Sequence, residues 1–139
     1  MISSRNLSDL HPYVQELAHQ HILLCYEHEI DLLVYCTYRD AEDQNRLYAQ
    51  GRTAPGPIVT NARGGDSMHN WRLAYDCVAL VGGKPQWSDD SMLDTVGVLG
   101  EMAGLEWAGR WKGRLREKVH FQYTGGLTVA DLKAGAYLA

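Results

Sequence analysis

The sequence predicts an α+β domain, a small and mainly antiparallel sheet flanked by helices. Three observations carry this. Segments with apolar residues at three-to-four spacing alternate with short β-branched and aromatic runs, in the order helix, strand, helix, strand, helix, strand, helix. The connections are too uneven for a regular series of parallel βαβ units. At 139 residues, 45% hydrophobic and 22% charged, the chain fits one domain over 1–139 with a core of its own.

Leu10, Tyr13, Val14, Leu17, His21, Leu24 and Cys25 recur on one helical face. Ser8 or Asp9 is available to cap that helix, and Pro12 suits its first turn. The run Ile30–Thr37 is short, branched and aromatic, hence a strand, with Arg39 at its exit. Asp40 then caps a helix over Ala41–Gln50, and Gly51 ends it. Arg52–Asp66, rich in Gly and Pro, is a long loop of the kind that is usually functional or disordered. Leu73–Val81 is the next strand, closed by the turn Gly82-Gly83. Ser88 or Asp89 opens a helix with Met92, Leu93, Val96, Leu99, Met102 and Ala103 on one face, stopped by Gly104. The Trp-rich segment LEWAGRWKGR reads as a loop leading to a strand at Val119–Tyr123. Thr128-x-x-Asp131 is a capping box for a short terminal helix.

Composition narrows the function. A formal net charge of -4 disfavours nucleic acid as a partner, and no run of about 18 apolar residues spans a membrane. The N-terminus MISSRNLSDLHPYVQ has no apolar signal core, so synthesis in the cytoplasm is expected, with outside help for any exit. Cys25, Cys36 and Cys77 are odd in number, lie in apolar segments and form no Cys-x-x-Cys pair, which points to buried free thiols.

One feature stands against the pattern. Asp76 lies in the middle of an apolar strand, sharing a face with Ala74 and Val78, while Leu73, Tyr75, Cys77 and Ala79 face the other way. A carboxylate in an apolar layer costs several kcal/mol without compensation, so an arginine, a histidine or a metal cation must stand beside it. His69 precedes the strand by a few residues, and His120 lies in the last strand with Gln122 on its face. Two imidazoles and one carboxylate can supply three ligands to zinc and leave a fourth position open, as in catalytic sites. Glu117, three residues before His120, is then placed to act as general base toward a metal-activated water. Arg39 could polarise a substrate carbonyl. The bland alternatives are hydrogen-bonded structural histidines, a solvated Glu117, an Arg39 paired with Asp40 or Asp43, and Trp71, Trp87, Trp107 and Trp111 serving packing instead of a substrate groove.

At these residues the sequence resembles the zinc peptidases of bacterial cell walls, which include D-alanyl-D-alanine carboxypeptidases and dipeptidases and phage L-alanyl-D-glutamate endopeptidases. Their pattern S-x-H-x-x-G-x-A-x-D, then [DE]-x-x-H, reads here as Ser67, His69, Ala74 and Asp76, then Glu117 and His120. Thr37-Tyr38-Arg39 with Gln44, Leu47-Tyr48-x-Gln50-Gly51-Arg52-Thr53, Pro57–Ala62 and Trp107-Ala108-Gly109-Arg110-Trp111 extend the likeness over roughly residues 5–124. Two positions depart from the pattern, Arg72 in place of glycine and Ala108 in place of the first glycine of W-G-G-x-W. An ordinary backbone conformation is expected at Arg72.

The resemblance implies the hedgehog/D-Ala-D-Ala-peptidase-like fold, zinc held by His69, Asp76 and His120, Glu117 as catalytic base and Arg39 as an aid to carbonyl binding. It implies hydrolysis of peptidoglycan stem peptides, and a monomer is expected. Because the chain carries neither a signal nor a wall-binding module, the favoured reading is an L-alanyl-D-glutamate endopeptidase of phage or prophage endolysin type, released through a holin. Alternatives are D-alanyl-D-alanine carboxypeptidase or dipeptidase action and, in a different class, a non-catalytic hedgehog-like zinc module. Such a module need not keep Glu117 and Arg39.

Overall fold

A computed structural model describes residues Met1–Ala139. The order is α1 (Pro12–Glu27), β1 (Asp31–Cys36), α2 (Ala41–Ala49), β2 (Ala74–Val81), β3 (Lys84–Pro85), α3 (Asp90–Met102), β4 (Glu106–Trp107), β5 (His120–Gln122) and α4 (Val129–Lys133). All strand pairs are antiparallel, in the order β1-β2-β5-β4 with β3 against the end of β2. The α+β expectation holds.

β2 is the spine, and its alternation is the predicted one. Leu73, Tyr75, Cys77 and Ala79 join Val14, Ala18 and Cys25 of α1, Val96 and Leu99 of α3, and Phe121 in the main core. Burial of a side chain such as Phe121, which is fully enclosed, contributes about 1.5–3 kcal/mol. His21 enters this core with both ring nitrogens satisfied, by Tyr75 Oη at 2.7 Å and the Val96 carbonyl at 2.8 Å. Burial lowers its pKa to about 4, so it is a neutral structural residue. The three cysteines are buried free thiols.

Several boundaries differ from expectation. α1 is capped by the His11 ring, which accepts from the Tyr13 N–H at 3.1 Å, and not by Ser8 or Asp9. Leu7–Asp9 form a 3-10 turn of their own instead. The Trp-rich segment contains strand β4, paired to β5 as Glu106↔Gln122 and Trp107↔Phe121. Met102 is exposed, not on the buried face of α3. Asp40 and Asp89 do cap α2 and α3, and Thr128 and Asp131 form the capping box of α4.

The four tryptophans divide. Trp107 is core, Trp71 is half-buried with its indole N–H on the Gly65 carbonyl at 2.9 Å, and Trp87 is exposed edge-on to Tyr35. Only Trp111 borders the cleft described below.

Before β2, Met68–Trp71 form a 3-10 turn closed by a capping box of Ser67 and Asn70. The turn ends at Arg72 in the left-handed region, φ 64 and ψ 24. This overturns the expectation of an ordinary conformation there. Tertiary contacts compensate the strain: the guanidinium stacks over the Tyr38 ring at 3.9 Å and donates to the Asp9 carbonyl at 2.8 Å. Arg72→Gly and Arg72→Ala lose these contacts equally, but only alanine keeps the steric cost. The glycine variant should therefore be the more stable of the two by about 1 kcal/mol, read from denaturation midpoints. Equal midpoints would show that the backbone there carries no cost.

The segment 52–66 holds no helix or strand, yet side chains of α2 moor it. Gln44 donates to Thr60 Oγ1 at 3.2 Å and the Ala62 carbonyl at 2.9 Å, and Asn45 accepts from the Gly64 N–H at 2.7 Å. Gln50, just past the helix, donates to the Pro57 carbonyl at 2.9 Å.

Candidate metal centre

Three elements bring the candidate residues together. The antiparallel register sets Asp76 of β2 directly opposite His120 of β5. The 3-10 turn is tied to the exit of β1 by Arg39 N–H on the His69 carbonyl at 3.2 Å and by the Asn70 amide on the Arg39 carbonyl at 2.8 Å. His69 is thereby placed above the strand ends. His69 Nε2 stands 3.1 Å from Asp76 Oδ1, and His120 Nδ1 stands 3.2 Å from the same oxygen. Both rings are buried and meet edge to face, centroids 5.0 Å apart.

The remaining ring nitrogens identify the protons. His69 Nδ1 faces the Thr37 carbonyl at 2.9 Å and His120 Nε2 faces Gln122 Oε1 at 2.8 Å. Both partners only accept, so each outer nitrogen carries the N–H. In the neutral imidazoles, two lone pairs are then directed at a carboxylate oxygen. That arrangement needs a positive charge, either a proton on a ring or a cation among the three atoms.

Without a cation, burial works against the imidazolium at His69 but the Asp76 carboxylate prevails, raising its pKa to about 10. Burial likewise opposes the Asp76 anion, yet His69 and His120 hold its pKa well below the usual carboxylate range. The spacing also suits a metal. Ligand atoms about 2.0–2.1 Å from tetrahedral zinc stand about 3.3 Å apart, close to the distances found. The residues fit the ion.

A second grouping, Cys36 with His69 and Asp76, has donor atoms within 4.8 Å of one another. Its geometry is poorer. Cys36 Sγ lies 3.7 Å from His69 Nδ1, the ring edge opposite to the one facing Asp76, and it already accepts from Arg39 Nη2 at 3.2 Å. An ion on the Asp76-facing edge of the His69 ring would also face His120 Nδ1, whereas the short thiol contact lies at the other edge.

Around this cluster opens a cleft of about 620 Å³, lined among others by Arg39, Thr60, Ala62, Asp66, Trp111, Arg114, Glu117 and Gln122. Glu117 Oε2 is 3.7 Å from His120 Nδ1, and its side chain is 48% exposed. Its backbone is pinned by bonds from its N–H to the Ala108 carbonyl and from the His120 N–H to its own carbonyl. Arg39 Nη1 donates to Gln44 Oε1 at 3.0 Å, while Nε is buried without a hydrogen-bond partner and makes only a long ion pair with Asp43 Oδ2 at 4.0 Å, the Asp43 pairing considered above. Each terminal nitrogen keeps one N–H uncommitted. The suspected Asp40 pairing is not made, since Asp40 holds the α2 cap and the Ile2 N–H. All five predicted site residues line one cleft.

Sequence reasoning named Gln44 and Trp111 within the resemblance and Gln122 as a strand-face neighbour of His120, but it gave none of them, nor the Thr37 carbonyl, a part in holding the site. The Trp111 ring stands 5.6 Å from His120.

A family described as D-alanyl-D-alanine carboxypeptidase matches residues 60–123, a span that includes every candidate except Arg39. The chain is 35% identical over 124 residues to the peptidoglycan L-alanyl-D-glutamate endopeptidase CwlK of Bacillus subtilis, covering 83% of this chain and 74% of that one. The chain belongs to the D-alanyl-D-alanine carboxypeptidase and L-alanyl-D-glutamate endopeptidase family. The fold of this family member also matches the crystal structure of the Serratia marcescens L-Ala D-Glu endopeptidase ChiX, with a TM-score of 0.65, 22% identity and coverage of 88% of this chain and 89% of that one. The two histidines come from separate segments, and a two-residue slip of β5 along β2 would part His120 from Asp76.

Proposed function

We propose that this protein is a zinc peptidase that hydrolyses the L-alanyl-D-glutamate bond of peptidoglycan stem peptides, with His69, Asp76 and His120 holding the metal. The observation that carries this is the approach of two ring nitrogens to a single carboxylate oxygen, with their outer N–H groups already spoken for. The 35% identity to an L-alanyl-D-glutamate endopeptidase favours that bond. The description of the matching family favours D-alanyl-D-alanine as the second reading.

When bound, zinc lowers the pKa of a water to about 7 and polarises the scissile carbonyl. The chain's residues do the rest. Glu117 takes the proton of the attacking water and returns it to the leaving amine. The uncommitted Arg39 N–H groups bind the carbonyl oxygen as charge develops on it, held in place by Gln44. Trp111, the Thr60–Ala62 wall and the apolar side chains of the cleft exclude water and align the stem peptide.

Purified sacculi treated with the protein should release muropeptides cut between L-Ala and D-Glu, identified by mass spectrometry, and a chelator should stop the release. Free D-Ala as the sole product would move the assignment to the second reading. No product with zinc supplied would sink both. An endolysin role of phage or prophage type belongs to the same proposal. Expression alone should leave host cells intact, and co-expression with a holin should lyse them.

A further inference from the structure

We infer that Gln122 is a positioning residue that fixes the tautomer of His120, and that Glu106 sets which way round its amide stands. The inference rests on the zinc reading above. For His120 to offer a lone pair from Nδ1 beside Asp76, its proton must sit on Nε2, and an acceptor opposite Nε2 selects that tautomer. The acceptor is Gln122 Oε1 at 2.8 Å.

An amide can stand either way round. Turned over, its NH₂ would face Nε2 and drive the ring proton onto Nδ1, into the metal position. Glu106 prevents this. Its two carboxylate oxygens lie 3.4 Å and 3.3 Å from Gln122 Nε2, and an ionised carboxylate accepts only. A reversed amide would set oxygen against oxygen. The β4–β5 register places Glu106 directly across from Gln122, so the two-residue strand β4 exists where this contact is needed.

His69 is secured differently. Its outer nitrogen is held by a backbone carbonyl, that of Thr37, which no substitution removes. The control at His120 is a side chain and can be tested alone.

Zinc affinity is measured by chelator competition for the wild type, Gln122→Leu, and the swap Gln122→Glu with Glu106→Gln, alongside melting temperatures of the metal-free and zinc-loaded forms. Gln122→Leu removes the acceptor and should weaken zinc binding about 10- to 100-fold while leaving the metal-free melting temperature near that of the wild type. The swap restores an acceptor opposite His120 and a donor beside it, and should recover affinity to within a few-fold. Wild-type affinity in Gln122→Leu, or a loss matched by a fall in metal-free stability, would overturn the inference. A swap no tighter than Gln122→Leu would remove Glu106 from it. A wild-type chain that takes up no zinc overturns the zinc reading itself, a result distinct from all of these.

Discussion

Glu117→Gln should fold normally, retain its zinc and cut peptidoglycan about 10²- to 10⁴-fold more slowly, the range a general base contributes. Glutamine has the same shape and cannot take a proton. The Glu117 side chain is half exposed and makes one long contact, 3.7 Å to His120 Nδ1, so the fold loses little. The measurement is muropeptide release per mole of zinc-loaded protein, with zinc content determined on the same sample. Wild-type rates would take the proton transfer away from Glu117, and lost zinc would make it a ligand.

His69→Ala should bring zinc content from one per chain to none and abolish the rise in melting temperature that zinc confers on the wild type. Binding to the native state alone stabilises it by about 4 kcal/mol when zinc stands at a thousand times its dissociation constant. The metal-free variant suffers as well. Asp76 is only 16% exposed, and removing one partner from a buried pair costs about 3–5 kcal/mol. His120 still faces the carboxylate, which sets the lower end of that range. Zinc content and a zinc-dependent melting shift equal to the wild type would place the metal elsewhere.

How much of this was legible in the sequence follows from the length scale of each signal. Asp76 announced itself because alternation over eight residues of β2 is long enough to read, and a charge interrupts it. His69, His120, Glu117 and Arg39 followed from chemistry and from the resemblance together. Strands β3 and β4 did not, since two residues carry no period. The turn at Met68–Trp71 was hidden by an Asn70 where a capping box usually shows Glu or Gln. The positive φ at Arg72 was misjudged because local preference argues against it, and only contacts from Tyr38 and Asp9, distant in sequence, outweigh that preference. The contact between Glu106 and Gln122 depends on β4 and so was out of reach for the same reason as the strand.

The amides that α2 extends into segment 52–66 have a consequence for substrate capture. A stretch with no regular structure would normally have to settle around an incoming peptide, losing freedom at the moment of association. Gln44 and Asn45 hold this wall in position before any ligand arrives. Part of that entropy is surrendered at folding, so less of it is left to lose when a peptide settles against the wall.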